Sequence, residues 1–168
     1  IAKAGYLVAL VPMPDCLVLW GVGRADTVID NNPGITTWAM GGHSFAATGV
    51  CWYAYNKNGT FTNSSKINGV VLWAGIPDAS QPLTDFPLKA LTLWATNNPR
   101  TDEEVINGSK PNLPPDTHFI ALQGANHAQF GWYGDNETDY DYFADDGSDL
   151  PADISREMQD NLIISYTT

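Results

Sequence analysis

Short apolar runs alternate along the chain with stretches of mixed polarity, the pattern of βαβ units that build a parallel sheet. Residues 6–11 are uninterruptedly apolar and are followed by Pro12 and Pro14. Such a run predicts a strand buried on both faces. Residues 23–30 read as a helix stopped near Asn31, Asn32 and Pro33, and residues 35–40 as a second strand closed by Gly41-Gly42. Small and aromatic residues over 45–55 predict a helix, and 57–66 a polar loop. Residues 69–74, 89–95 and 117–122 predict three further strands, the first stopped by Gly75 and Pro77. Between the last two, 102–106 begins a helix, with Thr101 as N-cap and Glu104 as its capping-box partner. The last helix is expected over 152–164, where Ile154, Met158 and Leu162 fall at helical spacing and Asp153 lies near the start. The expectation is an α/β fold: five parallel strands with helices on both faces.

A chain of 168 residues with 43% hydrophobic and 16% charged residues is large enough for one domain with its own core and too apolar to be disordered. No apolar run reaches the length of a bilayer span. A net charge of -11 and a pI of about 4.3 argue against nucleic acid and anionic membrane surfaces, which attract clustered Lys and Arg. Much of the acid lies between Asp135 and Asp149, alternating with Tyr, Gly and Ser, and reads as a solvated loop. It is not an EF-hand loop, because counting back from Gly147 puts Ala144 and Tyr142 at ligand positions. Cys16 and Cys51 either pair or remain two thiols. Sequons at Asn58, Asn63, Asn107 and Asn136 lean towards a secretory route. No Cys/His set has zinc spacing.

Two segments carry candidate chemistry. Met40-Gly41-Gly42-His43-Ser44-Phe45-Ala46-Ala47 joins a predicted strand to a predicted helix. That is the context of a nucleophile elbow, G-x-S-x-G, with Ala46 in place of the final Gly. The tight turn leaves little room for a Cβ beside the serine and lifts its hydroxyl clear of the sheet edge. The backbone N–H of Phe45 then points at a developing oxyanion. The competing reading makes Ser44 an ordinary N-cap. The second segment, Gly124-Ala125-Asn126-His127-Ala128-Gln129-Phe130-Gly131, follows the last strand and places His127 where a general base belongs. His43 is expected to pack locally and His118 to be incidental.

The elbow, Ala4-Gly5-Tyr6-Leu7-Val8, Leu72-Trp73-Ala74-Gly75, the segment from Asn126 to Gly134, and Ile154-Ser155-Arg156-Glu157 together resemble the α/β-hydrolase fold-5 group, related to dienelactone hydrolases and small esterases. The resemblance covers nearly the whole chain. It implies one α/β-hydrolase domain over 1–168 and a Ser-His-acid hydrolase of carboxylic esters or related acyl substrates. The substrate it implies is a small-molecule ester, with no metal or organic cofactor. It also implies an acid after the strand over 89–95, and that position is Asn98. An amide there cannot stabilise an imidazolium. Asp78, after the preceding strand, or Asp102, one turn further on, can be the relocated acid; otherwise the protein is a catalytically impaired relative with a binding or structural role. In such proteins a further strand lies between those over 6–11 and 35–40, and the loop after it supplies a second oxyanion N–H. The chain opens on Ile1 in the helix that follows that loop, with no visible signal peptide. It is therefore expected to be N-terminally truncated, to express poorly and to be inactive on its own.

Overall fold

A computed structural model describes residues 1–56, 58–132 and 149–168. Among the described residues four strands form one sheet in the order β1 (Trp38–His43), β2 (Ile67–Trp73), β3 (Lys89–Ala95) and β4 (His118–Leu122). Every ladder is parallel, with Met40 beside Val70, Leu72 beside Thr92 and Leu93 beside Ile120. Among the described residues the α-helices are α1 (Arg24–Asp30), α2 (Phe45–Tyr55), α3 (Glu103–Ser109) and α4 (Arg156–Thr167). None of the described helices is long and apolar enough to cross a membrane.

Alternation along the strands sorts the core into two layers. Val70, Leu72 and Ala90 face α1 and α2, where Ile29, Val50, Cys51 and Tyr53 complete one cluster. Leu93, Ala95 and Leu122 face the other way and pack with Ala125, Phe130 and Ile163, the last from α4. Asp26 of α1 joins that helix to α2 and the loop after it. Its carboxylate accepts from the Tyr53 hydroxyl at 2.7 Å and from the Asn63 N–H at 2.8 Å.

Several expectations are corrected. Residues 6–11 form no strand, and among the described residues no ladder joins them to the sheet. Tyr6, Leu7 and Leu10 are exposed. An apolar run predicts burial only if a neighbouring strand is there to take its N–H and C=O groups. The next strand begins at Trp38 and not at Ile35, and Gly41-Gly42 lie inside it, paired with Val71 and Leu72. The cap of α3 is Asp102, whose carboxylate accepts from the Val105 N–H at 2.9 Å; Thr101 belongs to the preceding 3-10 turn. The last helix starts four residues late, at Arg156, capped by Ser155, which accepts from the Met158 N–H.

Cys16 is exposed and Cys51 buried, and both are free thiols. Burial pushes the Cys51 thiol up to about 12. Asn63 is 6% exposed and donates to Asp30, so its sequon is closed in the folded chain, while Asn58 and Asn107 are exposed. Asn136 and the acidic run up to residue 148 lie outside the described residues. Asp149, the end of that run, is not solvated: it is 1% exposed.

Candidate active site

In a parallel sheet every strand delivers its following loop to the same edge. Ser44 follows β1, Gly75 follows β2, Asn98 follows β3 and His127 follows β4. The sequence order of these residues thus becomes a row along one rim.

Ser44 has φ 57° and ψ -127°, a conformation that L-residues rarely adopt and that costs on the order of 1–3 kcal/mol. Two contacts hold it there. Its N–H donates to the Trp73 carbonyl at 2.8 Å, and its own carbonyl accepts from the Ala47 N–H at 3.0 Å. Two glycines make room. A Cβ on Gly42 would lie 2.5 Å from the backbone carbon and oxygen of Ala46, and one on Gly75 would lie 2.4 Å from the Ser44 carbonyl oxygen. Ser44 precedes α2, yet its side chain makes no capping bond there, unlike Asp102 on α3 and Ser155 on α4. The N-cap reading therefore loses its physical content. Phe45, the first residue of α2, carries one of the N–H groups that no earlier turn of helix can accept. Gly42→Ala is expected to lower the melting temperature and Ser44 reactivity together, because backbone atoms face the new methyl and cannot swing aside. Calorimetry beside an esterase assay checks this; a variant matching the parent in both would show that the turn has slack.

His127 is 2% exposed, and its loop is held from three sides. Gln159 of α4, fully buried, clamps the Asn126 main chain in both directions: Oε1 accepts from its N–H at 3.1 Å, and Nε2 donates to its carbonyl at 2.9 Å. The Asn126 side chain donates to the Leu150 carbonyl and accepts from the Gln129 N–H. Asp149 accepts from the N–H groups of His127 and Ala128, each at 2.9 Å. Arg156 donates to the Gly131 carbonyl and lies over the Trp132 ring. These bonds give the Asn126 and Ser155-Arg156 motifs a shared purpose: to fix the backbone that carries His127.

Two neighbours of the His127 ring stand out among the described residues. His43, the residue before Ser44, lies with its ring centroid 4.6 Å away and stacks on Phe130. This contact brings the elbow and the histidine loop together. Burial, the His127 ring and a hydrogen bond to the His127 backbone leave His43 at about 3, with burial the dominant cause. It is neutral at ordinary pH. The second neighbour is Asn98, 1% exposed, whose Nδ2 lies 2.9 Å from His127 Nδ1. Asn98 Nδ2 also donates to the Thr101 hydroxyl, and its Oδ1 accepts from the Arg100 N–H at 3.1 Å. Turning the amide over would set its NH₂ against that N–H, donor against donor. The arrangement therefore fixes which end of Asn98 meets the imidazole. Burial lowers the His127 pKa, Asp149 opposes this and Arg100 adds to it.

Neither candidate carboxylate is at that nitrogen. Asp78 accepts from the Ser80 N–H and hydroxyl at 2.8 and 2.7 Å, and these bonds, the backbone one foremost, hold its carboxyl below the usual range. Asp102 is spent on α3. A side chain that follows a strand reaches the rim, but its own turn can claim it first. His118 is exposed on β4, away from this cluster. The sequence marks Thr101 only as a helix cap and Asp149 only as the end of an acidic loop, and it gives no sign of Gln159; their places around Asn98 and His127 were not foreseen. Asp102→Ala is expected to cost about 1 kcal/mol of stability, as a lost cap does, and to leave the kinetics unchanged. Asp78→Ala should be kinetically silent as well. A large loss of turnover in either would place the acid there after all.

A strained serine between strand and helix, a histidine after the last strand and a parallel sheet joining them define an α/β-hydrolase architecture. The alpha/beta hydrolase family matches residues 1–147, and the chain belongs to that family. No curated protein matches the chain.

Proposed function

We propose that the protein is a serine hydrolase of carboxylic esters or related small acyl substrates. Ser44 is the nucleophile, His127 the base and the Phe45 N–H an oxyanion donor. The observation that carries this reading is the backbone of Ser44: a strained, uncapped serine held between Gly42 and Gly75 is costly, and the cost has a use only if the hydroxyl must stand at the rim. The Ser44 hydroxyl oxygen attacks the acyl carbon while its proton passes to His127 Nε2. The proton then goes to the leaving alcohol as the C–O bond breaks, and water releases the acyl group by the same steps in reverse. No metal is needed in this sequence.

Asn98 favours a second reading, a family member with impaired catalysis and a binding or structural role. With the Asn98 NH₂ donating to Nδ1, the neutral imidazole carries its proton on Nε2 and cannot accept one from Ser44. Turnover then requires the other tautomer, at the expense of the Asn98 contact. The two readings are separated by short-chain aryl ester hydrolysis in the whole protein. Slow turnover that disappears in Ser44→Ala supports the first; turnover retained in Ser44→Ala removes it.

A further inference from the structure

We infer that Asp149 is the positioning residue for His127 and the carboxylate whose charge supports its imidazolium, in place of the acid that Asn98 does not provide. The inference rests on the proposed role of His127 as the base. Asp149 lies at the end of a polar, acidic stretch, yet it is 1% exposed, and both of its oxygens are used by one target. Oδ1 accepts from the N–H of His127 and Oδ2 from the N–H of Ala128. Burying a carboxylate is costly unless donors surround it. Two adjacent backbone N–H groups also need two acceptors. An amide would offer one oxygen and turn its NH₂ against the second N–H, so the pocket selects the charged residue.

The charge has somewhere to act. Among the described residues, the charged or titratable groups that act on the His127 ring come from different parts of the fold. Arg100, after β3, disfavours the imidazolium; His43, on β1, is neutral; Asp149 alone of these favours it. During acyl transfer His127 gains the Ser44 proton and becomes cationic. Asp149 takes no proton. It remains an anion beside the loop's main chain in a site where burial weakens screening. The triad's third carboxylate has two duties, holding the imidazole and balancing its charge. Here Asn98 holds Nδ1 only while that nitrogen is unprotonated, and the balancing charge comes through the backbone side.

The test reads His127 itself and does not depend on turnover. The His127 ring is titrated by NMR in the whole protein and in Asp149→Asn, with His127→Gln to assign the resonance. Removing a nearby negative charge makes the imidazolium harder to form, so the midpoint moves to lower pH. In the unsubstituted protein the chemical shift of the Asp149 side-chain carboxyl carbon changes with an inflection at the His127 midpoint. In the Asn98→Asp background, Asp149→Asn shifts the acid limb of kcat/KM to lower pH. It also reduces turnover on the order of tenfold, the equivalent of one pH unit of imidazolium stability. A His127 midpoint that stays put in a folded Asp149→Asn, with only the melting temperature reduced, overturns the inference and leaves Asp149 a structural cap. If Asp149→Asn does not fold, the carboxyl titration of the unsubstituted protein decides alone: no inflection at the His127 midpoint overturns the inference. A shifted midpoint in a protein that hydrolyses no ester in any variant upholds the charge coupling and removes the hydrolase reading instead.

Discussion

Asn98→Asp raises ester turnover by up to about 10⁴, the factor that the opposite exchange costs in a serine protease of unrelated fold. The expectation follows from three hydrogen bonds already in place. Asn98 Oδ1 takes the Arg100 N–H, and its Nδ2 faces both the Thr101 hydroxyl and His127 Nδ1. A carboxylate in the same position keeps the Arg100 bond and turns the other two into acceptances, from the Thr101 hydroxyl and from Nδ1–H. The tautomer reverses, Nε2 becomes the unprotonated ring nitrogen, and the imidazolium gains a partner. Each charge-assisted bond helps to offset the burial of the new anion. Arg100, which disfavours a charged His127, lies next to the change, so the new carboxylate also reduces that opposition. The chain does not reach this state by the usual fast route of asparagine ageing. Deamidation through a succinimide needs the N–H of the next residue, and Pro99 has none. The amide is therefore a lasting property of the site. Steady-state kinetics on a short-chain aryl ester checks the prediction. Unchanged turnover in a folded Asn98→Asp would mean that the missing carboxylate is not what limits the site.

Ser44→Ala removes that turnover. The range is widest in the Asn98→Asp background, where the loss extends to about 10⁶, the scale on which a serine protease loses kcat when its nucleophile is deleted. Because Ser44 makes no cap bond on α2, replacing it withdraws no helix-stabilising contact. Ser44→Ala should therefore melt close to the parent while its activity vanishes. That pairing sets a nucleophile apart from a structural serine. A stable variant that keeps its activity would put the chemistry elsewhere.

Part of this was legible in the sequence. The strand over Lys89–Ala95 matched its expected bounds, because its apolar residues run between clear stops. The elbow was legible because glycine on one side and small residues on the other state a steric requirement directly, and Gly42 meets it against Ala46. His127 was legible from its place after the last strand. The partner of its ring was legible only through family resemblance, which pointed to Asn98 as the residue in the acid's position.

Other features depend on contacts between distant segments. Residues 6–11 look like a strand, because apolarity reports a tendency to be buried and not the presence of a neighbour to pair with. Asp78 and Asp102 were plausible acids by position, but each is claimed by a turn or a helix end within three residues of itself. Gln159 falls within a helix that the sequence did predict, yet a polar residue that points inward is indistinguishable from one that points out until Asn126 is found opposite it. Asp149 was lost for a similar reason. Seven acids between Asp135 and Asp149 share one appearance in the sequence, and the two N–H groups that claim Asp149, at His127 and Ala128, belong to a distant segment.

The claim that Ser44 is a nucleophile activated by His127 is tested most directly by covalent labelling. The whole protein, its Asn98→Asp form and the Ser44→Ala variant of each are treated with a fluorophosphonate, and the modified peptide is located by mass spectrometry. The account predicts one phosphonylated residue, Ser44, labelled faster in Asn98→Asp than in the parent and unlabelled in both Ser44→Ala variants. No label at Ser44 even in Asn98→Asp, or a label that persists in Ser44→Ala, would contradict it.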